Sequence, residues 1–174
     1  MANKHCVVIR EMPSQNAVDY RFGVYGTDID NGHVVGLKEM KDHDLWIAEA
    51  STDAANLWLV TGVELMYEEN PRKHLYDYTN ESGKPFRCER VLAGGTYAIS
   101  AEGLTVANAS TDLVAGAAVM FVSGSDKLTV AKTADGTVIG KVIEVYTKSG
   151  MTFAAIEFFK AAVTAEADET TEST

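Results

Sequence analysis

The chain has 174 residues, a net charge of −10, 46% hydrophobic residues and 23% charged residues. Those proportions are those of an ordinary globular protein, long enough to bury a core without disulfides or metal. The acidic balance argues against nucleic-acid binding as the main task, because phosphate contacts need clustered Lys and Arg, and no apolar run approaches the roughly 18–20 residues that span a bilayer.

Short apolar or alternating runs separated by Gly, Asp, Asn and Ser turns predict a mainly β protein with little helix. A first strand covers Cys6–Arg10, with Val7, Val8 and Ile9 as its apolar centre, and Pro13-Ser14-Gln15-Asn16 breaks it. Tyr20–Tyr25 forms a short extended piece. Asp30-Asn31-Gly32 makes a tight turn, since Asn-Gly supplies the positive φ angles required, and His33–Leu37 resumes as a strand. Leu45–Ala50 follows as a strand, then Leu57–Tyr67, where Leu57, Leu59, Thr61, Val63, Leu65 and Tyr67 share one face. Pro71–Tyr78 fits a single helical turn, and Arg87–Ala93 and Thr96–Ser100 read as strands flanking Gly94-Gly95.

Four further strands are expected over Ala117–Val122, Lys127–Ala131, Thr137–Tyr146 and Met151–Phe159. Their short Gly- and Asp-containing links favour antiparallel neighbours, because parallel pairs need a long crossover. Gly140 inside its strand points to a bulge or a tight bend. The expected organisation is a less regular β subdomain at 1–83 with an N-terminal arm. An antiparallel barrel or sandwich at 84–163 follows, then an acidic tail at 164–174 holding Glu166, Asp168, Glu169 and Glu172.

The candidate chemistry is sparse. The histidines at 5, 33, 43 and 74 lack helical ligand spacing, and His43 between Asp42 and Asp44 reads as a solvated turn. Cys6 and Cys88 are too few for a disulfide framework and suit small apolar positions in strands. Ser123-Gly124-Ser125 resembles a hairpin turn more than a nucleophile elbow, and Gly94-Gly95 opens no phosphate-binding helix. Asp28 to Glu39 has the outer acids of a calcium loop, but Gly32 falls at its fifth position instead of its sixth. The expectation is no catalytic residue, no metal and no cofactor. Met1–Cys6 lacks the apolar region of a secretory signal, which predicts folding in a reducing cytoplasm. Arg72, Tyr76 and Tyr78, in a polar loop, are candidate partner contacts, since Tyr and Arg are enriched at interfaces. Val7, Val8 and Ile9 are a second candidate, because an N-terminal strand can add to a neighbour's sheet edge or pair within its own chain.

The stretch Glu64–Leu104 carries a resemblance. Glu64-Leu65-Met66-Tyr67, Arg72-Lys73-His74-Leu75, Asn80-Glu81-Ser82-Gly83-Lys84 and Gly94-Gly95-Thr96-Tyr97, followed by Ser100-Ala101-Glu102, resemble a segment of the capsid decoration, or cement, proteins of tailed bacteriophages. The likeness spans 57–104 most clearly and extends to the Asp28–Leu37 turn and the Thr137–Val145 strand, but not to Met1–Val24 or the tail after Val163. It implies a non-enzymatic virion protein on the capsid surface, assembled in the host cytoplasm. It also implies the major capsid protein as partner and self-association on the head, with no nucleic-acid or membrane contact. The alternatives are another virion component, such as a head–tail joining or tail protein, or a small β-barrel enzyme or ligand-binding domain.

Overall fold

The computed structural model describes residues 5–9, 19–62, 75–91 and 93–164, without the side chains of Ile9, Leu75 and 160–164. Among them the protein is all-β, with no element beyond strands except single 3-10 turns at Leu75–Asp77 and Ala101–Gly103. The strands are β1 (Val8–Ile9), β2 (Tyr20–Val24), β3 (Val34–Asp42), β4 (Leu45–Glu49), β5 (Trp58–Val60) and β6 (Pro85–Arg90). They continue as β7 (Thr96–Ser100), β8 (Leu104–Val106), β9 (Ala118–Phe121), β10 (Leu128–Ala131), β11 (Thr137–Lys148) and β12 (Met151–Thr164).

Strands β2-β4-β3-β5-β6 close into a barrel. Its inward positions alternate along each strand, which gathers Ile29, Val35, Leu37, Ala48, Trp58, Val60, Phe86 and Cys88 into one core. Gly23 lets the ring close: a Cβ there would lie 3.1 Å from the Phe86 ring and 3.3 Å from Ala48. The remaining strands form a curled half-barrel sheet in the order β1-β7-β12-β11-β9-β10-β8. Its main core includes Tyr97, Ile99, Leu128, Val130, Val142, Ile156 and Phe158.

The two units share a wall. Val34, Leu57 and Leu59 point out of the barrel and belong to the sheet's core, while their neighbours Val35, Trp58 and Val60 point into the barrel. The described part of the expected Leu57–Tyr67 strand thus has Leu57 and Leu59 on one face as read, with its other face buried as well. Residues 63–67 lie outside the described residues.

Several expectations need correction in detail. The closed barrel lies in the N-terminal half, whereas the C-terminal strands make the curled sheet. β6, expected to open the C-terminal unit, completes the barrel by pairing with β2 and β5, and β1 belongs to the C-terminal sheet through β7. Alternation marks Phe86 and Cys88 as one face but says nothing about which sheet receives them. The link Ala134-Asp135-Gly136 does not join neighbours either: β11 pairs with β9 on its far side from β10. β8, running parallel to β10, was not expected.

The turn chemistry did carry through. Gly32 has φ +86°, and the β11–β12 hairpin turns at Ser149 and Gly150, with φ of 52° and 75°. A register shift falls between Val138 and Gly140, where a Cβ on Gly140 would lie 2.6 Å from the Glu157 carbonyl oxygen.

Candidate functional site

The groups with chemical potential are spread over the molecule, each held by its own local contacts. His43 has a side chain 97% exposed at the β3–β4 turn, with Nε2 3.3 Å from Asp42 Oδ1. Cys6 and Cys88 are buried free thiols, each pushed up to about 12 chiefly by burial, so neither is a thiolate near neutral pH. Ser125 Oγ donates to the Lys127 carbonyl at 3.0 Å and accepts from Lys127 N at 3.1 Å, closing the β9–β10 turn. Gly94 N donates to Phe158 O at 2.8 Å, and Phe158 N donates to Gly95 O at 3.0 Å, so that glycine pair fastens β12.

Asp28 and Asp30 of the calcium-like stretch are engaged elsewhere. Asp28 Oδ1 accepts from Ser82 N at 2.8 Å, Asp30 Oδ1 lies 2.8 Å from His5 Nδ1, and Asp30 Oδ2 accepts from Cys6 N at 3.4 Å. Among the described residues no group of three or more His, Cys, Asp or Glu is placed to hold a metal ion.

The candidate partner residues divide. Val7 is 2% exposed and packs with Ala98, Met151 and Phe153, so its side chain is part of this chain's own core. Val8 is partly buried against the main core and pairs with Ile99; the Ile9 backbone pairs with Ala98. Tyr76 packs on the Val7 cluster, and its carbonyl accepts from His5 N at 2.7 Å. Tyr78 Oη donates to Asn80 Oδ1 at 3.2 Å. Arg72 lies outside the described residues.

Tyr78 leads into a buried polar network. Asn80 Nδ2 donates to Ile29 O at 2.9 Å and Asn31 Oδ1 at 3.1 Å, while Asn31 exchanges hydrogen bonds with the Gly62 backbone at 2.8 and 3.1 Å. It borders a cavity of about 220 Å³ lined by Val8, Asn31, Thr61, Arg87, Glu89 and Tyr97, among others. There Tyr97 Oη donates to the buried Glu89 at 2.9 Å, and Arg87 holds the other Glu89 oxygen at 3.4 Å and Thr61 O at 3.2 Å. Hydrogen-bonded networks of this kind fix loops in place.

Two features of the barrel had no distinct sequence signal. The first is its outer face along β2 and β4. Because Gly23 points inward, Tyr20, Phe22 and Val24 point outward, and parallel pairing sets Phe22 beside Leu45 and Val24 beside Ile47. Tyr20 is 58% exposed and Phe22 45%, their rings edge to face at 6.1 Å. The second is one mouth of the barrel, where Arg21, Leu37, Trp46, Ala55, Asn56, Trp58 and Arg90 line a cavity of about 300 Å³. No protein-family model matches the chain, and a search of curated proteins finds no relative.

Proposed function

We propose that this chain is a non-enzymatic virion structural protein that binds the outside of a phage head and stabilises contacts between major capsid subunits. The resemblance of the Glu64–Leu104 elements to phage decoration proteins carries this reading. The outward Tyr20 and Phe22, flanked by Val24, Leu45 and Ile47, supply it with a contact surface, since aromatic anchors with an apolar surround dominate protein interfaces. Binding only the assembled shell would stabilise that shell by mass action, without any reaction.

The test is co-sedimentation with empty expanded heads assembled from the major capsid protein of the same phage. Binding saturates at a ratio fixed by the shell's symmetry and raises the melting temperature of the heads. The Tyr20→Ser, Phe22→Ser variant weakens this binding about tenfold or more, yet melts like the parent when free, because both side chains are already exposed. Failure to bind expanded heads would sink the proposal and move attention to head–tail joining or tail components.

A further inference from the structure

We infer that the barrel mouth formed by Arg21, Trp46, Trp58 and Arg90 is a binding site for an acidic side chain of a partner protein, a carboxylate on an apolar stem. The inward positions of a small barrel are normally filled by apolar side chains. This end of the barrel departs from that rule. Arg21 and Gly23 lie on the inward face of β2, Trp46 pairs with Gly23, and Trp58 pairs with Arg90 across β5 and β6. Two arginines and two indoles therefore border one cavity at this end, where a closed core would have aliphatic groups.

The cations are available. Arg21 lies over the Trp46 ring at 5.4 Å, and its ion-pair contact is Asp19 at a long 3.9 Å, with both side chains well exposed to solvent. Arg90 is exposed, and its guanidinium forms no ion pair or hydrogen bond with a described residue. By contrast the Trp58 wall is fixed. Trp58 is 8% exposed and donates Nε1–H to Asn56 Oδ1 at 3.0 Å, while Asn56 Nδ2 donates to Leu37 O at 2.9 Å. Asn56 is thus a strut for the indole.

The cavity of about 300 Å³ is at the lower end of the range for ligand pockets, roughly 300–1,000 Å³, which suits a side chain better than an extended molecule. Guanidinium forks recognise carboxylates in two-point geometry, and indole faces accept an aliphatic stem. In a chain of net charge −10, two arginines meet a single carboxylate without the field penalty that a polyphosphate or nucleic acid would face. The inference rests on the mouth alone and does not require the capsid reading.

Both tryptophans of the chain line this mouth, so intrinsic fluorescence reports on it. The full chain is titrated with the peptide Ac-Leu-Glu-Glu-Leu-NH2, its Leu-Gln-Gln-Leu counterpart and inorganic phosphate. A saturable emission change with the Glu peptide is expected, about tenfold or more weaker with the Gln peptide and with the Arg21→Gln, Arg90→Gln variant. The Arg21→Lys, Arg90→Lys variant keeps the charge and should bind at an intermediate level, which covers the case of a Gln variant that does not fold. No saturable change at several-millimolar peptide, equal binding of the Gln peptide, or tighter binding of phosphate would each overturn the site. Capsid co-sedimentation is a separate readout, so failure of one proposal is distinguishable from failure of the other.

Discussion

Around Cys6 the chain has removed side chains to make room for one. A Cβ on Gly103 would lie 2.1 Å from Cys6 Sγ, and a Cβ on Gly32 would lie 2.6 Å from it, with Gly32 also at φ +86°. The thiol is 2% exposed, and its nearest polar partner is the Ser100 hydroxyl at 3.5 Å. Gly103→Ala therefore overpacks a rigid site and destabilises by about 1–3 kcal/mol. Adding Cys6→Ala empties the contested space, so the double variant is more stable than the sum of the single effects by about 0.5 kcal/mol or more. Thermal melts of the three variants measure this, and strict additivity would show that the two positions do not meet. Of the expected Cys6–Arg10 strand, Val8–Ile9 is extended and paired, Cys6 is a small buried side chain just before it, and Arg10 lies outside the described residues; that much follows from local pattern. The matching glycines do not, because nothing in a one-dimensional pattern says which distant backbone passes beside Sγ.

At the scale of elements, turn chemistry and alternation carried most of the strand reading. Asn31-Gly32, Ser149-Gly150 and the Gly140 bulge each announce themselves through the backbone geometry that only certain residues adopt. Pairings between distant strands leave no such mark. The parallel β2–β4 pair and the β1–β7 pair join segments whose sequences are merely compatible with many neighbours. For the same reason the barrel mouth was hidden: nothing in the local pattern around Arg21 and Arg90 says that barrel closure sets both beside one cavity. β1 is the sharpest case, since its residues were also suited to the sheet edge of another subunit. Val7 packs inside its own chain, so Val7→Ala should destabilise the isolated protein by about 1–3 kcal/mol and lower Tm by roughly 2–10 °C. That Tm is expected to be independent of protein concentration, whereas a strand exchanged between copies would make it rise with concentration.

Across the whole molecule, the barrel and the sheet are held by a seam at the start of β3. Val34 N donates to Asp126 O at 2.7 Å, and Gly124 N donates to Ser51 O at 2.8 Å. His33 sits in this seam, 7% exposed, with Nδ1 3.2 Å from Asp126 Oδ2 but out of line for a hydrogen bond. Burial lowers its pKa below the ordinary 6.5, with Asp126 opposing that shift, Lys127 adding to it and Asp30 opposing it. The unfolded chain takes up this proton near pH 6.5 while the folded chain resists it. The contribution of neutral His33 is thus present above pH 6.5 and is lost as pH falls below that value. A His33→Asn variant should accordingly lose less Tm than the parent between about pH 7.5 and about pH 5. Parallel curves for the two proteins would remove His33 from the acid response.

The sheet order has a consequence for how each copy comes into being. β7 lies between β1 and β12, so the first and the last of the described strands meet on opposite sides of the same neighbour. The barrel needs nothing beyond β6 for closure, and domains emerging first in synthesis tend to fold first. At about 5–20 residues per second, the stretch from β7 to the end of β12 takes roughly 3–14 s to make. During that interval a finished barrel is tethered to a ribosome beside an unpaired strand edge, the kind of surface on which neighbouring nascent chains adhere. The hazard of wrong pairing between chains would fall in those seconds of synthesis, before the sheet is complete.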